Sequence, residues 1–472
     1  MTIQSKISDT EELAALRSRL RDALLRPGEE GYDEASAAWN LNARHRPAVV
    51  VMAEGADDVQ AAVQFARDEG FGVGVMATGH GTATPSDGGM LINTSRMRGV
   101  RVDPEARTAH VEAGAKWTDV VPEAAAHGLA GLPGSSSQVG VVGYTMGGGF
   151  GWLGRKYGFA ADSVKEAEVV TADGGLVKAS AHENADLLWG LKGGGGNFGI
   201  VTSLEFALHP VENVYGGNLF YPIERVREVL EVYAGWNRTL PDEMMSAVTF
   251  RNFPPLPMIP EHFRGRSFIA VRGAYCGEDL KTGERLLEPV REALGEPEID
   301  TFAVMPAAAM DQISMDPVNP IGAYGHSEML RDLSPETIET LVGLAGTFPD
   351  STLLMLELRQ LGGALSRSAS ELSPMGRSDA RFTMNAIGAT FSPEMAPPLR
   401  AYLAHVAEAL KPHASGTTYV NFVDLDGATP ERVKAAYSPT DWERLVELKD
   451  RYDPENLFRF NRNISPSIGA RR

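Results

Sequence analysis

The chain has 472 residues, a net charge of −18 and one cysteine, Cys276. That length supports two or three domains with substantial cores. The acidic balance argues against nucleic acid and anionic membrane surfaces as partners, because phosphate binding needs a basic footprint. A single cysteine excludes an internal disulfide and makes a cysteine-based metal centre implausible, so no metal is expected. No apolar run approaches membrane-spanning length, and residues 1–6 lack the apolar stretch of a secretory leader, so the expected location is cytoplasmic.

In chain order, residues 10–26 form a charged amphipathic segment that predicts a helix. Residues 47–53 are β-branched and predict a strand. Over 57–69, Val59, Val63 and Ala66 share one helical face. An alternating strand, 71–77, follows, which completes a β-α-β unit with a crossover helix. Strands are expected at 90–93 and 108–114, and a helix at 117–127 stopped by Gly128. Further strands are expected at 166–172, 176–179 and 199–208.

From about 212 the glycines disperse and the elements lengthen. Helices are expected at 223–240, 279–294, 335–344 and 397–410, with strands at 267–275, 352–361 and 380–391. Residues 253–257 read as a proline-rich surface loop. The tail carries an expected strand, 419–423, and a helix, 441–452. The fold class is therefore α+β, with an antiparallel sheet flanked by helices in the second region.

Glycines punctuate this chain at three places. Thr78-Gly79-His80-Gly81 ends the first alternating strand. Val139-Gly140-Val141-Val142-Gly143 precedes the triplet Gly147 to Gly149, and Gly193 to Gly196 leads into Asn197-Phe198-Gly199. Read as three systems feeding strands, they suggest a large, flat, phosphate-bearing ligand held by main-chain N–H groups. Gly149-Phe150-Gly151-Trp152-Leu153-Gly154 fits G-x-G-x-x-G, but its first glycine ends a glycine triplet where a Rossmann fingerprint needs a strand. The Gly193 run lacks the Lys-Ser/Thr of a nucleotide-triphosphate loop. His80, at the mouth of its turn, is accessible, and a neutral imidazole is a good nucleophile.

Together with Arg155-Lys156-Tyr157-Gly158, Asp186-Leu187-Leu188-Trp189-Gly190, Tyr419-Val420-Asn421-Phe422, Tyr452-Asp453-Pro454-Glu455-Asn456 and Asn461-Arg462-Asn463-Ile464, these motifs carry a family resemblance. The chain resembles FAD-linked oxidases of the vanillyl-alcohol-oxidase type, and within them the berberine-bridge-enzyme-like oxidases. The resemblance covers about 45–210 and 417–466. It implies a two-subdomain FAD-binding domain over 43–211, a substrate-binding domain over 212–415, and a C-terminal segment, 416–472, that returns to the first.

The resemblance also implies that FAD is carried covalently by His80. Met76, Ala77, Thr78, Gly79 and Gly81 would cradle the pyrophosphate. Gly134, Ser135, Val139, Gly140 and Gly143 would line the flavin and ribityl chain. Ile200 and Val201 would approach the adenine end, and Asn461 would return from the tail. Two positions depart from the family pattern. Ser136 stands where many relatives have a cysteine that makes a second attachment, so a single bond, at His80, is expected. Phe422 stands where many plant relatives have a tyrosine base. Tyr419 and Tyr144 are then the phenol candidates for catalysis, provided their pKa values fall towards neutrality.

Met355, Glu357 and Arg359 share one face by the period-2 rule, either lining a substrate cavity or facing solvent. His326 is an even candidate for that cavity or a bland position, and Trp189 reads as a packing residue. The function this implies is oxidation of a C–H next to an amine or alcohol of a small organic substrate, with O2 as acceptor. Val139 matches the residue that goes with oxygen access in relatives. The alternatives are a dehydrogenase with another acceptor and a flavin-holding protein without turnover. Nothing in the sequence specifies an oligomeric state.

Overall fold

The computed structural model describes residues 11–20, 23–257, 259–367, 371–375 and 379–467. Among them, three sheets organise the chain. The first runs in the order Leu24–Leu25, Val49–Met52, Met90–Asn93, Val73–Met76, and its last three strands are parallel. Helix Ala56–Glu69 makes the crossover, burying Val59, Val63 and Ala66 as its spacing requires. It stops at Gly70, whose φ of 72° supplies the left-handed C-cap.

The second sheet is antiparallel, in the order Val100–Asp103, Thr108–Glu112, Ile200–Ala207, Val164–Val170, Leu176–Ser180. Helices Trp117–Ala125, Val141–Met146 and Ala185–Gly194 pack on it through a core that includes Trp117, Val120, Val141, Leu187 and Phe206.

The third sheet has eight strands and is antiparallel. Its path is Ile299–Asp300, Asn213–Pro222, Ser267–Tyr275, Met244–Asn252, Leu353–Gln360, Phe382–Thr390, Gly322–Leu330, with Ala303–Pro306 also paired to Asn213–Pro222. Strict alternation divides its two faces. Val248, Phe250, Ile269, Val271, Leu356, Leu358, Met384 and Ala386 point to one side. There they form one core with helices Val226–Trp236, Leu280–Leu294, Pro335–Thr347 and Ala396–Leu410. The opposite face carries Asn218, Arg272, Thr249, Glu357, Arg359 and Thr383, all buried, and looks towards the N-terminal half. Polar residues on a buried sheet face mark where the sheet covers something other than a helix.

Several expectations are corrected here. The helix expected over 10–26 is Glu11–Arg19, and residues 10 and 21–22 lie outside the described residues. Residues 419–423 are not a strand; Val420–Phe422 form a 3-10 turn, in which Phe422 N–H closes back on the Tyr419 carbonyl instead of pairing with a strand edge. The glycine systems do not all feed strands. The second opens helix Val141–Met146, and the third ends helix Ala185–Gly194 before strand Ile200–Ala207. Strands Asn213–Pro222, Met244–Asn252 and Gly322–Leu330 carry no expectation from sequence and complete the large sheet.

Candidate active site

Strand Val73–Met76 delivers the chain to the His80 turn. Gly79, at φ 73°, lies against Ala38, where any Cβ would press on that residue's main chain. Trp39 N–H donates to the Thr78 carbonyl at 2.8 Å, so the turn is held by the segment before the first parallel strand. The Trp39 ring stacks on His80, with centroids 4.0 Å apart and planes 17° apart. Burial, and next the Lys116 charge, lower the His80 pKa to about 4, partly opposed by a hydrogen bond to the Gln138 main chain. The imidazole is therefore neutral at neutral pH, and its Nε2 is buried without a hydrogen-bond partner.

The second glycine segment meets this turn. A Cβ on Gly140 would touch Ala77 and Thr78 at 3.4 and 3.6 Å, whereas one on Gly143 would meet nothing within 4 Å. Gly195 and Gly196 are open in the same way. Gly134 and Ser135 are half-buried or better in the loop leading to Val139, which is also half-buried. Ile200 and Val201 are buried on their strand, paired with Val170 and Val169.

The tail closes over this region. Asn461 Nδ2 donates to the Gly196 and Phe458 carbonyls at 3.1 and 3.2 Å, while its Oδ1 is buried without a partner. Arg462 donates to the Val423 and Asn421 carbonyls at 2.9 and 3.1 Å. Asn197 receives Ile464 N–H and donates to the Arg462 carbonyl. The fully buried Lys449 ties the tail down through Asp453, Asn197 and Phe458, at 2.7–3.1 Å.

Not every glycine in these motifs faces a cofactor. Around Gly147 to Gly151 the space is taken by protein. A Cβ on Gly147 would collide with Asn421, on Gly148 with Met375, on Gly149 with Tyr144 and on Gly151 with the Pro133 carbonyl. These glycines permit close packing of the chain on itself.

Tyr419 and Tyr144 come together. Asn421 Nδ2 donates to the Tyr144 carbonyl at 2.8 Å and to the Tyr419 hydroxyl at 3.3 Å. Phe150 and Phe422 pack on the Tyr419 ring, with centroids at 5.0 and 4.9 Å. Burial pushes both phenols well above their ordinary pKa. Both stay protonated at neutral pH, contrary to the fall that a base role requires, and the Tyr144 hydroxyl is buried without a partner.

Met355, Glu357 and Arg359 do share the polar face of the large sheet. Arg359 donates to Glu357 at 2.8–2.9 Å and lies over the Trp152 ring, 4.7 Å from its centroid. Arg272 pairs with the other oxygen of Glu357. His326 is not part of this face. Its strand partner is Ala386 on the helix-packed side, and it bonds Glu328 at 3.0 Å. Trp189 is a core residue covered by the Arg444 guanidinium.

Sequence reasoning did not single out Trp39 and Lys116, which act on His80, nor Arg251 and Arg272, which lie on the polar face of the large sheet. Only the polar Arg272 in an otherwise apolar strand could have been noticed. A further link, Asp311 accepting from Ser137 N–H and Oγ at 2.9 Å, joins the loop after Ser136 to the second half of the chain.

A family model described as FAD binding domain matches residues 47–180, and one described as berberine and berberine-like matches 418–465. The two matched segments contain the His80 turn, helix Val141–Met146 and the returning tail. The chain is a berberine-bridge-like FAD-linked oxidoreductase. The (R)-6-hydroxynicotine oxidase of Paenarthrobacter nicotinovorans is 28% identical over 467 residues, covering 95% of this chain and 97% of that protein. An FAD-linked oxidoreductase of Dictyostelium discoideum is 27% identical over 474 residues, covering 99% of both. The crystal structure of 6-hydroxy-D-nicotine oxidase from Arthrobacter nicotinovorans superposes with a TM-score of 0.83 at 24% identity, covering 94% of this chain and 98% of that one. A chitooligosaccharide oxidase superposes with a TM-score of 0.82 at 22% identity, covering 97% and 100%. This oxidoreductase therefore has the fold of those enzymes. Its own residues fit FAD: a neutral histidine with a ring nitrogen that makes no hydrogen bond, and Gly143, Gly195 and Gly196, where a side chain would meet nothing within 4 Å.

Proposed function

We propose that this oxidoreductase is an oxidase that removes hydride from a C–H next to an amine or alcohol of a small organic molecule, with O2 as the final acceptor. An alcohol would lose its carbinol hydrogen and its hydroxyl proton to become a carbonyl compound. The two electrons and two protons that leave it would end on O2 as hydrogen peroxide. When bound, FAD supplies the two-electron acceptor and is restored by O2. Segment 43–211 would hold the cofactor, 212–415 the substrate, and 416–472 would close the cradle.

The observation that carries this reading is the His80 imidazole: half-buried, neutral, stacked on Trp39 and with its Nε2 buried and unsatisfied. A nucleophilic nitrogen held in that state supports covalent attachment of FAD at His80. Ser136 offers no second thiol, so the attachment is at one point. Met76 to Gly81 would hold the pyrophosphate by main chain, while Gly134, Ser135, Val139, Gly140 and Gly143 would line the flavin. Ile200, Val201 and Asn461 would bound the remainder.

Tyr419 and Tyr144 keep their protons and orient substrate as hydrogen-bond donors. Phe150, Phe422 and Trp152 exclude water around them. With neither phenol able to accept a proton, an amine that arrives neutral is the easier substrate, because its nitrogen has no proton to surrender before oxidation. Oxygen uptake and peroxide formation with a panel of amines and alcohols test the reading. Bleaching of the flavin by substrate without oxygen, with no peroxide in air, would leave a dehydrogenase instead.

A further inference from the structure

The polar face of the large sheet holds more positive charge than its own carboxylates neutralise. Arg251, Arg272 and Arg359 are 8%, 1% and 5% exposed. Against them, among the described residues, stand Glu357, bonded to Arg359 and Arg272, and the half-buried Asp316. Arg251 bonds the Met355 sulfur and the Met315 carbonyl and lies over the Phe253 ring, and Arg272 also bonds the Ile313 and Ser314 carbonyls and lies over the Trp152 ring, none of them a carboxylate. Guanidinium groups do not deprotonate in proteins, so one positive charge is left without a counter-ion in a buried place.

A second observation lies on the same rung of the sheet. Asn218, Arg272, Ala247, Arg359 and Thr383 are successive cross-strand neighbours. On that rung Arg272 Nε and Thr383 Oγ1 are both buried without a partner. Buried polar groups of this kind are rare unless a ligand completes them. The rung is adjacent to the phenols: Phe150, which packs on Tyr419, lies 5.8 Å from the Arg359 guanidinium. Exposure rises two residues along the strand from Thr383, at the half-buried Asn385, which is the cross-strand neighbour of Glu357. That is the side from which a molecule would approach the rung.

We propose that the substrate is an organic carboxylate, its anionic group received by the guanidinium of Arg359 and the hydroxyl of Thr383, with Arg272 and Arg251 behind them. The planar fork of arginine matches a carboxylate in two parallel hydrogen bonds. The oxidised carbon then lies on the phenol side of the rung. The inference rests on the reading that this face covers the substrate.

Isothermal calorimetry on the flavin-loaded enzyme tests it, with benzoate against benzamide and phenylacetate against phenylacetamide. The carboxylates are expected to bind at least about tenfold more tightly than their neutral amides. Arg359→Gln is expected to abolish that preference. Thr383→Val removes a hydroxyl that has no partner, so it leaves folding intact, and it is expected to reduce the preference about threefold or more. Amides that bind as tightly as carboxylates, carboxylates that give no binding heat, or a preference that survives both substitutions would overturn the proposal. Binding is read without turnover. Loss of oxidase activity therefore leaves this result standing, and indifference to charge in an active oxidase refutes only the carboxylate.

Discussion

Gly143→Ala separates what the fold needs from what the cofactor needs. Gly143 sits inside helix Val141–Met146 without a positive φ, and a Cβ there would meet no protein atom within 4 Å. In the flavin-free protein the substitution should therefore stabilise the helix by up to about 1 kcal/mol, the ordinary difference between glycine and alanine. If the open space belongs to the flavin, the added methyl overfills it, at a cost of about 1–3 kcal/mol in cofactor binding. That corresponds to about a tenfold weaker affinity or more, each factor of ten being about 1.4 kcal/mol. Gly151→Ala is the control. Its Cβ collides with the Pro133 carbonyl, main chain that cannot swing aside, so it should destabilise protein with and without flavin alike. The assay is flavin content per protein after expression with limiting riboflavin, together with thermal unfolding of the flavin-free fraction. Full flavin loading in Gly143→Ala, or a lower melting temperature of its flavin-free form, would refute the placement of the ring beside this glycine.

His80→Ala should abolish flavin that stays with acid-precipitated protein, and wild-type protein that releases all its colour into the acid supernatant would disprove the covalent bond. His80 and His209 both have their pKa lowered from 6.5 to about 4 by burial. In flavin-free protein the unfolded chain then binds protons that the folded chain does not, so stability is lost as pH falls below 6.5 and the loss is complete near 4. Each histidine contributes up to about 3 kcal/mol to that loss; an unchanged acid slope of unfolding in the double alanine variant would contradict it. Glu357→Gln leaves Arg272 and Arg359 facing each other and should lower stability by about 3–5 kcal/mol, seen as a reduced urea midpoint. Tyr419→Phe should slow turnover with no change in the alkaline limb of the pH–rate profile, because a phenol that stays protonated does not titrate there; disappearance of an alkaline limb would restore it as the base.

Periodic elements were legible in the sequence because one side of each is buried. Helix Leu280–Leu294 is such an element, whereas strand Ser267–Tyr275, buried on both faces, was legible from its apolar run Phe268 to Val271. Strands Asn213–Pro222 and Met244–Asn252 were not. Buried on both faces, they lack alternation, and glycine, asparagine and methionine within them mimic loop composition. The His80 turn was legible from its glycines, yet its stacking partner Trp39 belongs to no motif and is placed by a main-chain bond to Thr78. Tyr419 and Tyr144 were found by motif position, but their raised pKa values follow from Phe150, Phe422 and the tail closing around them. No local pattern encodes that burial.

The lock formed by Lys449, Asp453 and Asn461 to Ile464 has a consequence for biosynthesis. The strands that begin the cradle emerge from the ribosome several hundred residues before the segment that shuts it. Attachment of FAD at His80, as proposed above, is accordingly expected to come late, once the tail has docked, and a chain interrupted before residue 461 is expected to carry no bonded flavin however well its sheets have formed.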